Sequence, residues 1–222
     1  MPWRASSHCG SHDHGWQLPR CELAGQDLSM PTPRAKARTK AAILQLHISL
    51  PDIIPPIWRS VQVPGSMSLG TLHLVIQESF GWQNYHLYRF ELGARHFEAP
   101  DPEAEGADAS RTKLKDLLLA PGDQLEYVYD FGDDWHHRIR VEQLLPAIPE
   151  VHYPVCLEGE RAGPPEDCGG PHGYARMLRT LADPTDPEHA DTLAWAGQWT
   201  PELFDLRATN RILQLAFKQA AR

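Results

Sequence analysis

Signatures of common catalytic machinery are missing from this chain of 222 residues. It has no G-x-S-x-G elbow, no phosphate-binding P-loop, no G-x-G-x-x-G turn and no H-E-x-x-H pair. No run of about 18 apolar residues occurs, so no membrane-spanning helix and no membrane partner are expected. The first 30 residues carry no apolar stretch of the kind a secretory signal needs. Cysteine is scarce. Cys9, Cys21, Cys156 and Cys168 are too few for a disulfide scaffold, and a reducing cytoplasm is the expected compartment. Positive charge is also short outside the N-terminus. Residues 1–40 hold six Lys/Arg against three Asp/Glu, whereas the remainder holds 15 against 26. An acidic body repels phosphate, so nucleic-acid binding through it is not expected.

What is present argues for a folded domain behind a tail. Residues 1–40 are rich in Ser, His, Gly, Pro and Arg and have no hydrophobic period. They read as a disordered tail containing His8, Cys9, His12 and His14 and ending in the basic run PRAKARTK. Residues 41–222 read as a single domain. Leu44, Leu46, Ile48 and Leu50 alternate with polar residues, and Ile57, Val61 and Val63 repeat the pattern after PDIIPP, predicting a strand pair. Ser68 is placed to cap a helix with Leu69, Leu72, Ile76 and Phe80 on one face, stopped by Gly81. LYRFEL predicts a third strand. A short helical turn then precedes a strand with Leu125, Tyr127, Tyr129 and Phe131 on one face, and WHHRIRVEQLL returns beside it. Three helices follow, with Pro171 at the start of the first, Asp186 capping the second and Asp205 capping the third. The predicted fold is α+β: a β-grasp-like mixed sheet of five to six strands, one helix packed on it and a helical C-terminal third.

Two stretches could carry chemistry. In YDFGDDWHH, Asp130, Asp133 and Asp134 lie in a tight turn next to Trp135, an acidic turn that could bind or do acid–base work. The plainer reading is a hairpin in which the aspartates supply turn chemistry and Trp135 packs the core. His137 falls on the apolar face, where an imidazole needs either a hydrogen-bond partner or a metal. The second stretch, YPVCLEGERAGPPEDCGGPHGY, holds Cys156 and Cys168 in a loop rich in proline and glycine. With His137, and with His152 or His172, the two thiols could hold a structural zinc ion. The alternative is two free thiols, one of them shielding apolar surface. A nucleophilic cysteine is not favoured, because Glu166 and Asp167 beside Cys168 oppose its ionisation.

The motifs PPIWRSVQVP, FGWQNYHLYRFEL, YDFGDDWHHRIRVE and PPEDCGGPHGY together resemble the plasmid pRiA4b ORF-3-like family. The resemblance runs over residues 43–217. It implies a mobile-element association and, through labels used in the family, a resolvase-like role, but no established activity. It further implies metal-ligand landmarks at His137, Cys156 and Cys168. A further cysteine that relatives carry is replaced here by Gly163, which weakens a zinc site. The functional expectation is a non-catalytic binding or accessory protein with a protein partner, whose sheet edges could accept a partner strand. The alternative is a DNA-transaction enzyme or a metal-dependent hydrolase using the Asp/His turn.

Overall fold

The computed structural model describes residues 43–101 and 105–218. The expected tail over residues 1–40 lies outside the described residues. The strands are β1 (Ile43–Leu50), β2 (Ile57–Pro64), β3 (Tyr88–Leu92), β4 (Arg95–Glu98), β5 (Ala107–Asp108), β6 (Gln124–Tyr129), β7 (Trp135–Leu145) and β8 (Val155–Glu160). The helices are α1 (Leu69–Phe80), α2 (Gly170–Ala182), α3 (His189–Ala196) and α4 (Leu206–Phe217). All eight strands form one sheet in the order β5-β4-β3-β6-β7-β1-β2-β8. Only the β4–β5 pair is parallel. No described helix is long and apolar enough to cross a membrane.

This corrects the expected architecture. The sheet has eight strands, not five or six, and helix and strand contents are roughly equal, so the last third is not simply helical. Three strands escaped the sequence pattern because each buries so little. In β4 only Phe97 is buried, and the Leu92↔Arg95 pairing closes a two-residue hairpin over Gly93 and Ala94. β5 has two residues. In β8 only Cys156 is buried, and the strand falls within the segment expected to be a loop.

The mixed α+β character follows from local signals that the fold obeys. Ser68 accepts from the Thr71 amide at the start of α1, and Gly81 ends the helix in the left-handed region. Asp205 accepts from the Arg207 and Ala208 amides and starts α4. Asp186 does not cap α3 directly. It accepts from the Glu188 amide one turn earlier, and α3 begins at His189. The inner face of the sheet (Leu46, Ile48, Val61, Leu125, Tyr127, Ile139, Val141) packs against Leu69, Leu72, Val75, Ile76 and Phe80 of α1. Phe131 leaves the face predicted for it and is 48 % exposed. Asp130 takes φ 56°, which breaks the two-residue alternation just after Tyr129.

Both sheet edges are short or covered. At β8 the side-chain amide of Asn210 in α4 accepts from the Cys156 N–H and donates to the Cys156 carbonyl, both at 2.8 Å. It thereby takes the place of a neighbouring strand at that point.

Arg59 lies on the inner face of β2 and is 2 % exposed. Among the described residues it meets no carboxylate. Its guanidinium donates to the carbonyls of Ser79, Trp58, Glu160 and Arg161 at 2.7–2.9 Å. The rings of Phe204 and Phe80 lie 4.0 and 4.9 Å from its central carbon. Burial draws its pKa down to about 10, so it remains charged at neutral pH. The arrangement fastens the end of α1 and the end of β8 to β2. Arg59→Met keeps the apolar stem but strands four carbonyls, and each unpaired buried group costs about 1–3 kcal/mol. We expect Arg59→Met to lose at least about 3 kcal/mol in urea denaturation, with no rescue by Arg59→Lys. A loss under about 1 kcal/mol would show that the clamp does not hold the fold together.

Candidate functional site

Three segments meet at one end of the central strands. The first is the turn from β6 to β7, residues 130–134. Asp130 bends it at φ 56°, and its Oδ1 accepts from the Gly132 amide. The second is the connection from α1 to β3, residues 81–87. The third is the loop of residues 163–169 that enters α2.

Directed hydrogen bonds tie them together. Trp82 Nε1 donates to the Pro164 carbonyl at 2.8 Å. Glu166 Oε1 accepts from both the Gln83 amide and the Tyr129 hydroxyl. Tyr129 in turn accepts from the Tyr85 amide. Asp133 Oδ2 accepts from the Gly169 amide. The loop comes so close to the turn that a Cβ on Gly170 would sit 2.2 Å from the Asp133 carbonyl oxygen, and Gly170 also has φ 66°.

At the junction, His86 Nε2 faces three carboxylates: Asp167 Oδ1 at 3.0 Å, Asp130 Oδ2 at 3.6 Å and Glu166 Oε2 at 4.0 Å. Near as Asp167 is, its direction is not that of a hydrogen bond, and the solvent-shielded Nε2 has no hydrogen-bond partner. One ligand-type atom each from His86, Asp130 and Asp167 lies within 4.8 Å of the others. Asp130 and Glu166 have side chains 11 % exposed, whereas that of Asp167 is 68 % exposed. No described Lys or Arg forms an ion pair with these three acids. Asn84, Asp130, Asp134 and Asp167 all have positive φ, so unfavourable backbone concentrates around this junction.

A buried network holds the His86 connection in place. His73 Nδ1 meets the Tyr127 hydroxyl at 2.8 Å and Nε2 meets Asn84 Oδ1 at 2.6 Å. Asn84 Oδ1 can only accept, so Nε2 carries the proton and Nδ1 accepts from Tyr127. Gln77 donates to the same hydroxyl and accepts from the Asn84 amide. Tyr88 stacks on the His73 ring at 3.7 Å. Burial pushes His73 down to about 4, keeping it neutral.

The residues expected to bind zinc are not brought together. His137 is fully buried in a box of Phe80, Trp82 and Tyr127 rings. Its Nδ1 lies 3.2 Å from the Trp135 carbonyl, and Nε2 is unpartnered. Cys156 packs under α4, and burial lifts its thiol to about 11. Cys168 lies beside Asp133, and burial followed by that carboxylate lifts its thiol to about 12. Neither thiol is ionised at neutral pH. Gly163 offers no room for a ligand: a Cβ there would lie 2.0 Å from the Phe80 carbonyl oxygen. Of the acidic turn, Asp130 joins the cluster, Asp133 fastens Gly169, Asp134 meets His136 on the surface and Trp135 fills the core against Tyr174. His86, Glu166 and Asp167 are not among the site residues expected from the sequence, although they lie in the motifs FGWQNYHLYRFEL and PPEDCGGPHGY.

The family model described as plasmid pRiA4b ORF-3-like protein matches residues 42–208. The chain belongs to this family. It is 40 % identical over 160 residues to the uncharacterized protein y4hQ of Sinorhizobium fredii, covering 71 % of this chain and 82 % of that one. The crystal structure of MM3350, a protein of unknown function from Methanosarcina mazei Go1, superposes with a TM-score of 0.70 at 36 % identity. The match covers 74 % of this chain and 96 % of that chain.

Two outcomes follow from the buried groups of this pRiA4b ORF-3-like protein. His73 and His137 fall to about 4 and about 3 in the fold, both through burial, against an unfolded value near 6.5. Their stabilising contribution is complete above about pH 6.5 and fades as the pH falls toward those values. Stability measured by urea denaturation should therefore drop from pH 6.5 to pH 5, and His137→Phe should flatten that slope by up to about one proton. An unchanged slope would show that His137 titrates normally. Gly163→Ala should destabilise the fold by at least about 2 kcal/mol, since a backbone oxygen must move. A neutral thermal shift would contradict that packing.

Proposed function

We propose that this domain is a binding protein that holds a divalent cation at His86, Asp130 and Asp167. The observation that carries the reading is the solvent-shielded His86 Nε2, which makes no hydrogen bond among the described residues and faces three carboxylates. Like charges so placed repel one another, and a dication removes the repulsion while giving the imidazole lone pair a partner. One imidazole with carboxylate oxygens suits zinc or manganese. Such an ion would join the loop of residues 163–169 to the turn of residues 130–134, a structural role of the kind first expected for the cysteines. The cation belongs at this cluster and not at His137, Cys156 and Cys168, which lie apart.

A second reading, metal-assisted hydrolysis, is favoured by one feature. Asp167 is 68 % exposed, and catalytic metal sites keep a coordination position open, whereas structural sites close it. A resolvase-like reading has less support. Arg138 and Arg140 are engaged by Glu126 and Glu142 on the outer sheet face and do not form a free phosphate clamp.

Chelator-treated protein titrated calorimetrically with zinc and manganese should take up about one ion per chain. His86→Ala and Asp167→Asn should each weaken binding at least about tenfold, while a Cys156→Ser, Cys168→Ser double variant should retain it. Binding lost in the cysteine variant, or unchanged in His86→Ala, would place the ion elsewhere. Turnover of phosphoester or carboxyester substrates that requires Asp167 would decide for the hydrolytic reading.

A further inference from the structure

A second site is built by the two helices that follow the loop. α2 and α3 lie side by side, yet α3 has no buried residue. They are joined by polar contacts. His189 Nδ1 meets the Thr180 carbonyl at 2.9 Å, and Arg176 is paired with Glu188. The space between them and the loop stays open as a cavity of about 600 Å³. Pockets of that size suit a small molecule.

The lining has a definite character. Met177 forms an apolar wall, and Trp195 of α3 lines the cavity while remaining 53 % exposed. Around these stand the carboxylates Asp167, Glu188 and Asp191. The one basic side chain in the lining, Arg176, is already engaged by Glu188. With Glu188 spent on Arg176, Asp167 and Asp191 leave the lining two negative charges in excess, which disfavours an anion and attracts a cation. A half-exposed indole in a lining that carries acids suits an alkylammonium group, which can lie over the ring while its N–H groups reach a carboxylate. The exposed apolar surface of Trp195 is what the methylene chain of such a ligand would cover.

We infer that the cavity between α2 and α3 binds an organic cation of the alkylammonium class, its charged end at Asp191 beside the Arg176–Glu188 pair and its chain against Trp195 and Met177. The inference goes beyond the divalent-cation reading. Asp167 borders both sites, but Asp191 and Trp195 take no part in the His86 cluster, so the two sites can be tested apart.

The test uses the full chain with EDTA present, so that no divalent ion contributes, and follows the Trp195 indole N–H by NMR during titration with spermidine. Saturable movement of that signal is expected. Trp195→Ala, a change at an exposed helix position, and Asp191→Asn should each raise the dissociation constant at least about fivefold in calorimetry. Butylammonium, with a single charge, should bind at the same place more weakly. No saturable shift would overturn the inference. Equal spermidine affinity in the wild-type chain and both variants would also overturn it, since that marks general attraction of a polyamine to an acidic protein. Failure here with intact zinc or manganese uptake leaves the His86 site standing, and the converse result separates the two readings equally well.

Discussion

A guanidinium taken out of water is the constraint around which the rest of this fold is arranged. Removing a charge from solvent costs several kcal/mol unless its donors are all met. Arg59 has no acid beside it, so backbone carbonyls meet them: one at the end of α1, one on its own strand and two where β8 ends. Those carbonyls come from segments far apart in sequence. Satisfying them anchors the end of α1, which Gly81 terminates, and the loop of residues 81–87 that bears His86 starts from there. It also anchors the point where β8 releases the chain toward the loop of residues 163–169. Two of the three segments that form the cluster thus leave from points anchored by one side chain.

The junction that results has a different energetic character. Its hydrogen bonds position the chain closely, through Trp82, Tyr129, Glu166 and Asp133. Its charges are arranged differently, since Asp167, Asp130 and Glu166 gather around His86 and no described Lys or Arg pairs with them. Directed hydrogen bonds thus hold several carboxylates around one imidazole, and the binding proposal starts from that arrangement. The positive φ values of Asp130 and Asp167 point the same way.

Much of the fold was legible because burial on one face imposes a period. β1, β2, α1, β6 and β7 each bury a regular stripe and were readable. β4, β5 and β8 lie toward the edges, bury at most one large side chain each and leave no period to read. The site was legible in parts. Asp130 stood out because acids crowd its turn. His86 did not, since a histidine between Tyr85 and Leu87 resembles any strand entry. Glu166 and Asp167 were read for their effect on Cys168, when their nearer neighbour is an imidazole some 80 residues earlier that only the tertiary fold supplies. Gly163 misled in an instructive way. It looked like a ligand lost, but the Phe80 carbonyl leaves no space for any side chain. Arg59 did leave a signal, an arginine in step with Ile57, Val61 and Val63, and such a break in an apolar stripe marks a buried polar anchor.

The covering of β8 by Asn210 has a consequence for how the protein is made. The two residues are 54 positions apart. At ribosomal speeds of about 5–20 residues per second, β8 leaves the ribosome roughly 3–11 s before the side chain that covers its edge. During that interval the strand presents unpaired N–H and C=O groups to whatever is nearby, including other nascent copies on the same message. The finished domain resists strand addition there, while the unfinished one invites it. Crowded translation is therefore a condition under which this edge is exposed to misassembly.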